Sequence, residues 1–89
     1  EEPRESTAPR VTLNVLSDGS LLLAGHATTV EELPRRLKKL REDEGPDVEL
    51  RMRVDRKTEY SIVAPVLAEC AASGIWNVAF SVLKPDAHP

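Results

Sequence analysis

His26, Cys70 and the adjacent Asp55 and Arg56 are the residues of this chain whose side chains could carry out chemistry. A histidine between Gly25 and Ala27, with Asp18, Glu31 and Glu32 as the nearest carboxylates in sequence, could bind a metal or act as a general base. No second ligand stands at metal-site spacing, so His26 reads as a solvated loop residue. Cys70 falls on an apolar stripe beside Glu69, surroundings that raise a thiol pKa and make the sulfur a packing group rather than a nucleophile. Asp55 and Arg56 could form an acid/base pair. Neighbours on a strand point to opposite faces, however, so the two do not converge on one substrate atom and read as a loop or a partner contact. Phosphate-binding glycine loops, nucleophile elbows and Cys/His pairs do not occur. The expectation is a protein that is not an enzyme and takes no metal or cofactor.

The elements that carry these residues follow from periodicity. Val11, Leu13 and Val15 alternate with Thr12 and Asn14 as a strand with one wet face, and Asp18-Gly19 is a turn that returns Leu21 to Ala24 as its hairpin partner. Gly25 is expected to end that strand. Thr29 and Glu32 fit a capping box, after which Val30, Leu33, Leu37 and Leu40 form one stripe of a helix running to about Asp43. Pro34 lies early in it, where its missing donor costs little, and Gly45-Pro46 stops it. Val48, Leu50, Met52 and Val54 alternate with Glu49, Arg51, Arg53 and Asp55, the clearest strand in the chain. Its charged side requires one solvated sheet face, with Arg51 and Arg53 part of that face, and so places the helices on the other. A second helix spans about Tyr60 to Ser73, with Gly74 at its end and Ile75 supplying the closing contact. Pro65 inside it should kink it or delay its start. Val78, Phe80 and Val82 then alternate with Ala79 and Ser81.

The predicted fold is a two-layer α/β (α+β) sandwich of order ββαβαβ, a mixed sheet with two helices on one face. Residues 1–10, with two prolines and four charges in the first five positions, read as a flexible linker. Residues 11–83 form the domain, and 84–89 a tail. In 89 residues with one Phe, one Trp and one Tyr, the core must be aliphatic. The net charge of −3, with both signs mixed, offers no basic field for nucleic acid. A single cysteine excludes an internal disulfide. No run of about 18 apolar residues occurs, so the chain reads as soluble, with any anchor lying upstream of Glu1.

Assembled in order, these pieces resemble the periplasmic domain of the ExbD/TolR family. Val11 to Val15 with Asp18-Gly19, followed by Thr29 to Leu37, resembles its opening. Leu50 to Arg56 resembles its middle strand and the Ala-Asp-Arg/Lys-like motif, with Val54 in place of the usual alanine. Tyr60 with Ala72-Ser73-Gly74-Ile75 resembles its second helix, which Pro65 interrupts here, and Val78-Ala79-Phe80 its last strand. The resemblance implies a single-pass protein of the bacterial inner membrane with this domain in the periplasm. It implies an ExbB/TolQ-like membrane partner, engaged through a transmembrane helix, and coupling of the proton-motive force to a TonB/TolA-like protein. It also implies contact with peptidoglycan in TolR-like members. A small regulatory or ligand-sensing α/β domain is the alternative, and it requires a pocket with converging polar groups.

The partner-binding residues expected from sequence are Trp76, Asn77, Val78, Ala79, Phe80, Ser81, Val82 and Leu83, with Asp55 and Arg56. The last strand ends the domain without a Lys or Pro before Lys84-Pro85, so its edge can accept another chain, either a weakly bound second copy or an extended partner segment. Val11 to Val15 is the other candidate edge. Proline at Ala79 or Ser81 is expected to block pairing at the last strand.

Overall fold

The computed structural model of the chain describes residues 8–83. The tail from Lys84 and most of the expected linker lie outside the described residues. Seven elements follow one another: β1 Arg10–Val15, β2 Leu21–Leu23, β3 His26–Thr28, α1 Leu33–Glu44, β4 Glu49–Asp55, α2 Tyr60–Ala72 and β5 Val78–Leu83. The five strands form one mixed sheet in the order β3-β2-β1-β4-β5. β1 pairs antiparallel with β2 and parallel with β4, and β4 pairs parallel with β5.

The alternation in β4 works as its residues require. Leu50, Met52 and Val54 are buried, while Arg51 and Arg53 stand in solvent. The buried row joins Leu13 and Val15 of β1, Leu21 and Leu23 of β2, Leu33 and Leu37 of α1, and Val63, Val66 and Cys70 of α2 in one cluster. Both helices therefore cover one face of the sheet and leave the other open. The core is aliphatic, with Met52 and Cys70 its sulfur-bearing members.

Two expectations about strands need correction. His26 is not in a loop: it opens β3, whose register against β2 pairs Leu23 with His26 and Leu21 with Thr28. The hairpin turn is Ala24-Gly25, with φ of +54° and +82°. Two successive positive φ values are what a two-residue hairpin of the right twist needs, and Ala-Gly supplies only one residue suited to them. The second correction concerns β1. The hairpin and the parallel crossover flank it on both sides, so it lies at the centre of the sheet and is no edge.

α1 starts later than its capping pattern suggests. The Thr29 hydroxyl does accept the Glu32 amide at 3.2 Å. Glu32 does not reciprocate; its carboxylate accepts the Thr28 hydroxyl and pairs with Arg36. Thr29 thus caps a turn that leads to Leu33, and Pro34 occupies the opening helical turn where a proline is tolerated. In α2, Pro65 is accommodated on the exposed side without ending the helix. The helix ends at Ser73, followed by Gly74 at φ +87° and the buried Ile75. The Gly74 amide reaches the Ala71 carbonyl, and the Ser73 hydroxyl bridges the rest of the cap by donating to Cys70 and accepting from the Ile75 amide.

Candidate functional site

β5 is one edge of the sheet and β3 the other. Of the two, β3 has three residues and β5 six, so β5 offers the longer template for strand addition. The register Leu50↔Val78, Met52↔Phe80, Val54↔Val82 puts Val78, Phe80 and Val82 on the helix side of the sheet. Their partners in β4 are buried, yet Phe80 and Val82 are about half exposed, at 49% and 50%. The helical layer stops short of β5, and an apolar row overhangs it.

The backbone of β5 has a definite parity. The Leu50 amide donates to the Asn77 carbonyl at 2.9 Å, and the Arg56 amide to the Leu83 carbonyl at 3.0 Å. In a parallel ladder both backbone groups of a residue turn the same way and alternate along the strand. Asn77, Ala79, Ser81 and Leu83 therefore bond to β4, whereas Val78, Phe80 and Val82 turn their N–H and C=O groups away from it, toward the edge of the sheet that the described residues form. This corrects the expected effect of proline. At Ala79 or Ser81 it would remove a bond to β4 and disturb the sheet itself; the residues whose amides serve the edge are Val78, Phe80 and Val82.

Between this overhang and α2 lies a groove of about 340 Å³, lined in part by Val54, Tyr60, Val63, Leu67, Phe80 and Val82. Asp55, Arg56 and Thr58 stand at one end of it. Asp55 Oδ1 accepts the Lys57 amide at 2.8 Å, which fixes the turn after β4 beside the end of β5. Trp76 precedes the strand at its other end and is 68% exposed. The residues expected from sequence thus come to one flank of the molecule, with Trp76 and the Asp55-Arg56 turn at opposite ends of β5.

Sequence reasoning missed Tyr60, Val63, Leu67 and Thr58. Tyr60 could have been found by the criterion applied to Trp76, since it is an aromatic at a helix start, off the buried stripe. With Tyr60 included, the chain's Phe, Trp and Tyr all sit on this flank and none is buried.

The other chemistry-bearing residues are not brought together. His26 is exposed at the far edge. Cys70 is buried in the core, and burial, with Glu69 beside it, pushes its thiol up to about 11. On the open face, Glu49 pairs with Arg10 at 3.3 Å and with Arg51 at 3.4 Å. Among the described residues no group of three His, Cys, Asp or Glu is placed to hold a metal ion, and no helix is long and apolar enough to cross a membrane. The groove beside β5 is mainly apolar and open, while polar side chains line a separate depression between α1 and α2, with Lys38, Arg41, Glu42, Glu69 and Ser73 around it.

No curated protein matches the chain significantly. The family described as biopolymer transport protein ExbD/TolR matches residues 2–84, nearly the whole chain, and the mixed sheet with two helices agrees with that match. The chain belongs to the ExbD/TolR family of biopolymer transport proteins.

Proposed function

We propose that this chain is the periplasmic domain of an ExbD/TolR-like inner-membrane protein. It passes motion drawn from the proton-motive force to a TonB/TolA-like protein by pairing the β5 edge with another chain. It catalyses no reaction. An ExbB/TolQ-like protein supplies the proton path through the membrane and meets this protein through a transmembrane helix, and TolR-like peptidoglycan contact would anchor the domain to the cell wall. The observation that carries the reading is β5 itself, an edge strand with outward backbone groups at Val78, Phe80 and Val82 and an exposed apolar row above a groove. Such an edge binds an extended segment by main-chain hydrogen bonds, while alternate side chains settle in the groove and give selectivity.

Phe80→Pro in the intact protein tests it. Proline is tolerated on an edge strand where its missing N–H faced solvent, so the fold should persist by circular dichroism while energised uptake or envelope integrity is lost. Normal coupling by a folded Phe80→Pro protein would refute the reading.

A further inference from the structure

We infer that the open face of the sheet is a second binding surface, which takes an extended acidic segment of another protein by setting carboxylates two residues apart against Arg51 and Arg53. It lies on the face of the sheet and does not rest on strand pairing at the β5 edge. Both arginines stand on β4, with β1 on one side and β5 on the other. The register sets Thr12 and Ala79 beside Arg51, and Asn14 and Ser81 beside Arg53. Four short side chains thus flank two long ones. The result is a depression of about 490 Å³, lined in part by Thr12, Arg51, Arg53, Ala79 and Ser81.

The polar groups of this face are only partly engaged. Among the described residues, the side chains of Arg53, Thr12, Asn14 and Ser81 make no ion pair or hydrogen bond. Arg51 is held from one side: its Nε donates to Glu49 at 3.4 Å, and Glu49 is itself paired with Arg10 at 3.3 Å. Glu49 lies two residues before Arg51 on the strand, and Arg53 two residues after it. The contact with Glu49 therefore draws the Arg51 guanidinium away from Arg53, so the two cations are kept apart instead of closing on one small anion. Their Cα atoms are separated by about 6.6 Å, the repeat of alternate residues in any extended chain. A segment lying along β4 with Asp or Glu at alternate positions meets both guanidinium groups in register, each through a fork of charge-assisted hydrogen bonds. The hydroxyls of Thr12 and Ser81 and the Asn14 amide are then left for its backbone. Helix α1 has more cations, but Arg36 and Lys39 there are already paired with Glu32 and Asp43. Exposed ion pairs are individually weak, so this surface binds modestly and best at low salt.

Two fluorescent octapeptides of equal length and charge test the spacing. One alternates Glu and Ser; the other has two pairs of adjacent Glu separated by two Ser, so that no two carboxylates stand two residues apart. Their binding to the 89-residue chain is followed by anisotropy at low ionic strength, and the contact is mapped by backbone amide shifts. The alternating peptide is expected to bind about fivefold more tightly, to lose about tenfold in Arg53→Gln and about threefold in Arg51→Gln, and to shift the amides around Thr12, Asn14, Arg53 and Ser81. Both arginines are exposed, so the circular dichroism and urea midpoint of the variants should match those of the parent chain. Equal binding of the two peptides, binding undiminished in both variants, or shifts confined to α1 would overturn the inference. Displacement of the alternating peptide by pyrophosphate at a lower concentration than by the unlabelled peptide would make this a site for small phosphate anions and overturn it as well. So would an Arg53-dependent attachment to phosphatidylglycerol vesicles without peptide binding, which would assign the face to a lipid surface.

Discussion

Ala24 holds a φ of +54° in a hairpin turn that also contains Gly25. An L-residue with a Cβ pays on the order of 1 kcal/mol there, a cost that asparagine lowers by bonding locally to the backbone. Ala24→Asn should therefore stabilise the domain by about 0.5–1 kcal/mol, read as a higher urea midpoint at unchanged slope; a lower midpoint would count against this turn geometry. Cys70 makes a different kind of prediction because its thiol is raised to about 11 by burial, with Glu69 adding to it. Between the ordinary thiol range and that value the unfolded chain loses a proton that the folded chain keeps. Stability should thus be insensitive to this group at neutral pH and fall as pH rises from about 9 to 11, by on the order of 2 kcal/mol. Cys70→Ala should remove that alkaline slope while lowering stability at neutral pH through the lost packing. Urea titrations at both pH values check it, and an unchanged slope in the variant would assign the effect elsewhere.

At the scale of elements, local pattern and tertiary placement divide what could be read from the residues alone. The charged alternation of Glu49 to Asp55 announced a sheet with one open face, and the apolar stripes and Gly74 announced both helices and the end of the second. β3 escaped because Ala-Gly is a poor turn signature and three residues are too few to show a period. The central position of β1 escaped because strand order depends on which crossovers pack, a tertiary matter that no strand encodes in its own residues. β5 was legible from its residues as an uncharged, apolar alternating strand; the groove beside it was not, since that depends on how far the helical layer extends over β5. Two predictions belong here. Gly74→Val should cost about 2 kcal/mol, because a β-branched residue would have to adopt φ +87° with its Cβ about 3.5 Å from Arg41 Nε. An unchanged thermal midpoint would refute it. Ala79→Pro should destabilise the isolated domain by roughly 3 kcal/mol through the lost bond to Leu50, whereas Phe80→Pro should cost much less. The reverse order would overturn the parity assigned to β5.

For the molecule as a whole, the distribution of aromatic residues separates folding from binding. The core is closed by aliphatic side chains and sulfur, while Tyr60, Trp76 and Phe80 line the flank of β5 at exposures of 74%, 68% and 49%. Aromatic side chains offer the largest apolar area per residue, and a small domain would ordinarily bury them. Under the proposed strand pairing, their placement on one flank makes it a surface whose burial another chain would complete, since exposed aromatics are favoured binding anchors. Trp76 directly precedes Asn77 at the entry to β5, so a chain paired with this edge would lie beside the indole. It follows that Trp76 should report pairing more than folding. In the dilute domain its emission should already lie near that of a solvated indole and change little in wavelength across the urea transition that circular dichroism follows. On pairing of the β5 edge with an extended partner segment, the emission should shift to the blue, and Phe80→Pro should abolish that shift. A large red shift on unfolding of the dilute domain would show that Trp76 is already buried within one copy, and the separation of an aliphatic core from an aromatic binding flank would fail.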